Sequence, residues 1–152
     1  LMKEEPVELK SRGIAGNMYM YFYDPKTKEK LPYYDSFPLT VVVGPAPGGF
    51  AGLNLHYLPP TLRAKLLDAL MDIASNKKFD ESTKFQVTYN TLKRTASLKH
   101  FKPCYKHYLN SNVRSRFAYV PPPEWEIATF LPTADFQKAG KSKVYKDSRS
   151  II

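Results

Sequence analysis

Tyr33-Tyr-Asp-Ser-Phe-Pro-Leu-Thr-Val-Val-Val43, Gly44-Pro-Ala-Pro-Gly-Gly49 and Phe50-Ala-Gly-Leu-Asn-Leu-His-Tyr-Leu58 form one continuous stretch. Two apolar runs rich in β-branched and aromatic residues flank a loop built almost wholly of Gly and Pro. That pattern predicts two paired strands joined by a turn. In the second run Phe50, Gly52, Asn54 and His56 alternate with Ala51, Leu53, Leu55 and Tyr57. The inward set includes Leu53 and Leu55.

Working outward, Asn17 to Tyr23 places Met18, Met20 and Phe22 opposite Tyr19, Tyr21 and Tyr23, a further strand. A charged turn begun by Asp24-Pro25 follows it. The central strand is expected over Phe37 to Val43, with Pro38 at its start, where a missing N–H does least damage. Pro59 and Pro60 close the hairpin and open an amphipathic helix, Pro60 to Ser75, carrying Leu62, Leu66, Leu70 and Ile73 at helical spacing. Arg63, Lys65, Asp68 and Asp72 fall on its other surface. Lys84 to Tyr89 alternates like a strand, and Thr91 to Ser97 reads as a short helix. Lys102 to Leu109 reads as a helical turn begun by Pro103, with strand as the alternative. Val113 to Val120 and Glu124 to Leu131 read as strands on either side of a polyproline-like Pro121–Pro123. A short helix is expected over Ala134 to Lys138.

The predicted class is therefore α+β: a small, strongly curved, barrel-like (SH3-like) sheet with one inserted helix. An open α+β sheet is the main rival. Residues 1–16 are read as an N-terminal arm, 17–139 as one β-rich domain and 140–152 as a basic C-terminal arm. At 152 residues the chain is about one domain long. The 13 prolines against 7 glycines favour fixed turns and short strands over a helical bundle. A single cysteine, Cys104, excludes a disulfide scaffold. No apolar run approaches the roughly 18 residues that span a bilayer, and Leu-Met-Lys-Glu-Glu-Pro lacks a signal peptide's apolar core. An intracellular setting is expected, and the start at Leu1 suits a processed or partial chain.

Catalytic patterns are weak. His100, Cys104 and His107 stand at i, i+4, i+7, but Pro103 interrupts the helix they would need, and zinc sites offer paired ligands at two places. A Cys104–His107 nucleophile pair competes with the commoner buried apolar cysteine. His56 reads as a hydrogen-bonded strand histidine, and Asp24, Asp35, Glu124 and Glu126 as turn carboxylates. Gly44, Gly48 and Gly49 lack the Lys-Ser/Thr and helix of a phosphate loop. A nuclease would need Asp24, Asp35 and Glu124 to converge. No enzyme activity, metal, cofactor or small-molecule substrate is expected.

Charge says more. The net charge is +9 and the pI about 9.5, enough to attract phosphate or another acidic surface. Lys93, Arg94, Lys99, Lys102, Lys106, Arg114 and Arg116 are interleaved with Phe101, Tyr105, Tyr108, Phe117 and Tyr119. The end adds Lys138, Lys141, Lys143, Lys146 and Arg149. These cations, Lys138 aside, are the candidate contacts to nucleic acid or to a protein partner, the aromatics offering stacking surfaces. A solvated charged face and a plain aromatic core are the competing readings.

Six phrases also resemble a family of small proteins of T-even-type tailed phages and their marine relatives. They are Tyr-Asp-Pro-Lys (Tyr23 to Lys26), Leu-Pro-Tyr-Tyr-Asp-Ser-Phe-Pro-Leu (Leu31 to Leu39), Gly-Phe-Ala-Gly-Leu-Asn-Leu-His-Tyr-Leu-Pro (Gly49 to Pro59), Phe-Lys-Pro-Cys (Phe101 to Cys104), Val-Arg-Ser-Arg-Phe (Val113 to Phe117) and Glu-Trp-Glu-Ile-Ala-Thr-Phe-Leu-Pro (Glu124 to Pro132). The resemblance implies a non-enzymatic virion protein assembled in the host cytoplasm and oligomeric in the particle. It would either protect the packaged DNA end or act as a tail or baseplate adaptor without DNA contact. Its partners would be other virion proteins and double-stranded DNA, and no membrane.

Overall fold

A computed structural model describes residues 3–5, 16–26, 28–97, 101–131 and 136–151, with 3–5, 81, 85, 96–97 and 147–151 as backbone alone. The predicted hairpin is present: strand β4, Leu39–Ala46, pairs antiparallel with β5, Gly49–Asn54, with Val41 opposite Leu53 and Ala46 opposite Gly49. The two-residue turn is Pro47-Gly48. Pro47 presets its own φ, and Gly48 takes the positive φ of 74° that the second position then demands. Four more strands extend the sheet, namely β1 (Lys3–Glu5), β2 (Met18–Met20), β6 (Tyr105–Leu109) and β7 (Phe117–Val120). The order is β1-β7-β2-β4-β5-β6, every neighbouring pair antiparallel. A separate two-stranded ladder joins β3 (Tyr34–Asp35) to β8 (Phe136–Gln137).

Both faces of the sheet are apolar because strand neighbours alternate between two cores. Met18, Met20, Leu39, Val41, Val43 and Leu53 face the helices, whereas Tyr19, Tyr21, Val42, Phe50, Tyr108 and Phe117 form an aromatic core on the other side. Strands β5 and β7 are separated by β2 and β4, about 14 Å in a flat sheet. Yet the rings of Phe50 and Phe117 lie 5.7 Å apart, and those of Tyr21 and Tyr108 5.5 Å apart. The sheet bends around this cluster, helped by a bulge between Val42 and Gly44. It does not close: β1 and β6 are its edges, and no ladder joins them among the described residues. The α+β expectation holds, and the SH3-like barrel is replaced by an open, bent antiparallel sheet. The core is complete on both faces without closure, since helices cover one side and tyrosines fill the other.

Helix α1, Pro60–Ala74, starts at Pro60 as expected and buries Leu66, Leu67, Leu70 and Ile73. Two strand expectations are corrected, and a third segment divides between its two readings. Lys84 to Tyr89 belongs to α2, Glu81–Ser97, together with the expected short helix over Thr91 to Ser97. Its start is marked by Asp80, whose carboxylate accepts from Thr83 N–H (2.7 Å). A six-residue alternation is too short to outweigh that cap. Glu124 to Leu131 carries α3, Trp125–Phe130, with Trp125, Ala128 and Thr129 buried and Ile127 58% exposed. That is a period of 3.6, not 2. Lys102 to Leu109 is a single 3₁₀ turn, Lys102–Cys104, running straight into β6.

The C-terminal stretch is not an arm in the described residues. It forms α4, Lys141–Ile151, with Val144 fully buried in the helical core. The expected short helix over Ala134 to Lys138 gives way to β8 at Phe136–Gln137, while Ala134 lies outside the described residues. Of the N-terminal arm, Lys3–Glu5 pairs with β7 and 6–15 lie outside the described residues. No described helix is long and apolar enough to cross a membrane.

Candidate nucleic-acid interface

Beneath the mouth of the site lies a buried polar network. Asp35 ends β3 and is 4% exposed. Its Oδ1 accepts from the Phe37 N–H (3.0 Å), and its Oδ2 accepts from Asn54 Nδ2 (3.0 Å) and His56 Nδ1 (2.7 Å). Burial alone would push this carboxyl up. The hydrogen bonds from His56, Asn54 and Phe37 outweigh burial and hold it below the usual carboxylate range. A carboxylate only accepts, so His56 Nδ1 carries its proton towards Asp35. Asn54 also donates to the Tyr108 hydroxyl (3.0 Å), and its own Oδ1 accepts from His56 N–H (3.0 Å). The expected hydrogen-bonded strand histidine thus sits two residues past β5, in a 3₁₀ turn at Leu55–Tyr57.

Arg63, expected on the outer surface of α1, is 5% exposed. It donates to the carbonyls of Leu58 (2.7 Å), Thr129 (2.9 Å) and His56 (3.2 Å) and to the Tyr145 hydroxyl (2.6 Å). One guanidinium thereby ties α1, α3 and α4 to the 3₁₀ turn. Its five donors in a rigid fork suit this junction of backbone oxygens.

Above the network a pocket of about 320 Å³ opens between the loop after β2 and strand β6. Five of its lining residues are tyrosines (Tyr23, Tyr33, Tyr34, Tyr57, Tyr108), and Lys26, Lys106 and His107 supply the basic groups. Lys106 Nζ lies 3.9 Å from the centre of the Tyr57 ring, a cation–π contact. Burial lowers the Lys106 ammonium below its ordinary value, opposed by Cys104 and Asp35. Burial also raises the phenols of Tyr23, Tyr57 and Tyr108, so these rings stay neutral. The loop is pinned from outside: Lys138 Nζ donates to the carbonyls of Lys28 (2.6 Å), Leu31 (3.0 Å) and Glu29 (3.4 Å). Asp24 in the same loop meets Lys28 at 3.0 Å and Arg114 at 3.7 Å.

The expected cations divide. Lys106 lines the pocket, whereas Arg114 is exposed outside its lining, 3.7 Å from Asp24. Lys93 and Arg94 are exposed on α2, where Lys93 lies over Tyr89 (5.3 Å). Lys102 and Arg116 are exposed in the connections flanking β6 and β7, and Lys141, Lys143 and Lys146 are exposed on α4. Lys99 and the Arg149 side chain lie outside the described residues. Lys26, Tyr33, Tyr34 and Tyr57 were not singled out as site residues from the sequence, although two of the quoted phrases, Tyr23 to Lys26 and Leu31 to Leu39, contain the first three.

The Cys104–His107 pairing is not formed. The buried Cys104 thiol is pushed up to about 12 and donates to the Phe101 carbonyl (3.0 Å), while His107 Nε2 donates to the Pro47 carbonyl (2.7 Å). His100 lies outside the described residues. Among the described residues no three His, Cys, Asp or Glu side chains are grouped to hold a metal ion.

Fold and site define an open-sheet α+β protein with a basic, tyrosine-lined pocket. Residues 6–150 match the family model described as phage T4 terminal DNA protecting protein, and the chain belongs to that family. Searches of curated proteins and of solved structures gave no match.

Proposed function

We propose that this protein is a non-enzymatic structural protein of a phage virion that holds the terminus of linear double-stranded DNA through basic side chains. Family membership over 6–150 is the observation that carries the reading. The net charge of +9 supports it, because each lysine or arginine that meets a phosphate releases a counterion. Tyrosines beside lysines supply stacking surfaces of the kind that bind bases without sequence preference. A binding role also suits the carboxylates: Asp24 is occupied by Lys28 and Arg114, and Asp35 by His56, Asn54 and Phe37.

The test compares one duplex sequence as a linear molecule and as a dumbbell closed by loops at both ends. Linear DNA should bind at least about ten-fold tighter, and its ends should resist an added exonuclease. Equal affinity for both forms overturns terminus binding. Contact with another virion protein has separate support in Ile127 (58% exposed), Phe130 (46%) and Leu131 (36%) on and just after α3.

A further inference from the structure

We propose that the tyrosine-lined pocket takes a single nucleotide of the DNA terminus, its base against Tyr33 and Tyr34 and its phosphate on Lys106 and Lys26. This inference rests on the terminus-binding reading and narrows it to one place on the molecule.

Size is the first argument. At about 320 Å³ the pocket falls at the small end of ligand clefts. It suits one unpaired nucleotide, whereas a base pair within a duplex is too wide to enter.

Chemistry is the second. A site for phosphate alone needs cations and backbone N–H groups, yet five tyrosines line this one. Tyr23, Tyr57 and Tyr108 are nearly buried and build the floor, while Tyr33 and Tyr34 are only half-buried and present accessible ring surface. The Tyr33 and Tyr57 rings lie 6.2 Å apart, tilted by 33°, so a base entering here joins an existing aromatic cluster.

Charge is the third. Asp35 is the acidic residue of the lining, and both its oxygens already accept hydrogen bonds from the network below. Lys106 has no carboxylate ion-pair partner among the described residues and rests on the face of Tyr57. A partly desolvated ammonium of this kind gains most from an incoming phosphate. Lys26 stands exposed at the rim.

The test uses the full chain and four probes of one sequence: the dumbbell, a blunt linear duplex, and two linear duplexes with a one-nucleotide overhang, one 5′ and one 3′. Stacking of one base predicts that one overhang form binds about 5-fold or more tighter than the blunt form. Lys106→Met, which keeps the stem over Tyr57, should abolish that preference, bringing the overhang and blunt forms to within about 2-fold of each other. Lys26→Ala, at an exposed position that cannot unfold the chain, should weaken the preference. Photocrosslinking from 5-iododeoxyuridine in the overhang should attach at Tyr33 or Tyr34. Tight linear binding with no overhang preference, a preference that survives both substitutions, or a crosslink mapped elsewhere overturns the pocket and leaves the terminus reading standing. Equal binding to dumbbell and linear DNA overturns that reading itself.

Discussion

At the scale of single residues, the Asp35 carboxylate accepts three hydrogen bonds while almost wholly buried. Replacing it by Asn turns an acceptor into a donor facing Asn54 and His56, at a cost of about 2–4 kcal/mol. Because the folded carboxyl is held below its ordinary value, its contribution is fully present above about pH 4 and is lost as pH falls through the folded value. Thermal melts of wild type and Asp35→Asn should therefore differ most above about pH 4 and converge in stronger acid. A gap that stays constant down to the acid limit would contradict this. Cys104 gives a second check. Its thiol, raised to about 12 and buried, should resist iodoacetamide at pH 8 until the chain is unfolded, as read by mass spectrometry. The low reactivity was legible from the lone cysteine between apolar and aromatic neighbours. The Asp35–His56 pair was not, since the two residues stand 21 positions apart and neither matches a motif.

Among the elements, the hairpin depends on backbone approach. A Cβ on Gly49 would collide with the Tyr108 carbonyl of the adjacent β6. Gly49→Ala should cost about 2 kcal/mol or more, measured by denaturant unfolding. Helix α4 offers the contrasting case. Val144→Ala should cost about 2 kcal/mol because its side chain is fully enclosed, while the exposed Lys141→Ala stays within about 0.5 kcal/mol. Equal effects would mean that α4 is not docked. The hairpin and α1 could be read in advance, each being long, strongly patterned and punctuated by Gly or Pro. Helix α2 was legible only over Thr91 to Ser97, and α3 and α4 were not. Their apolar positions are few, and short windows around Phe85 to Tyr89 and Trp125 to Thr129 satisfy a period of 2 almost as well as one of 3.6.

For the whole molecule, a surplus of nine positive charges predicts steep salt dependence. If about six phosphates are neutralised, affinity for linear duplex should fall by roughly 10³ between about 50 and 200 mM salt, and each contact removed should lower the logarithmic slope by about one. Comparing Lys93→Ala/Arg94→Ala with Lys141→Ala/Lys143→Ala/Lys146→Ala by that slope would show whether α2 or α4 meets the backbone. A flat salt response removes the DNA contact altogether. Composition, charge and the Gly/Pro-punctuated hairpin were enough to establish an α+β class and a surplus of positive charge, because those properties are sums or local patterns along the chain. Sheet closure, the burial of Arg63, the docking of α4 and the meeting of Lys26, Tyr34 and Lys106 around one pocket were decided only in three dimensions. They depend on contacts between residues tens of positions apart, where side-chain volume and hydrogen-bond satisfaction outweigh local preference.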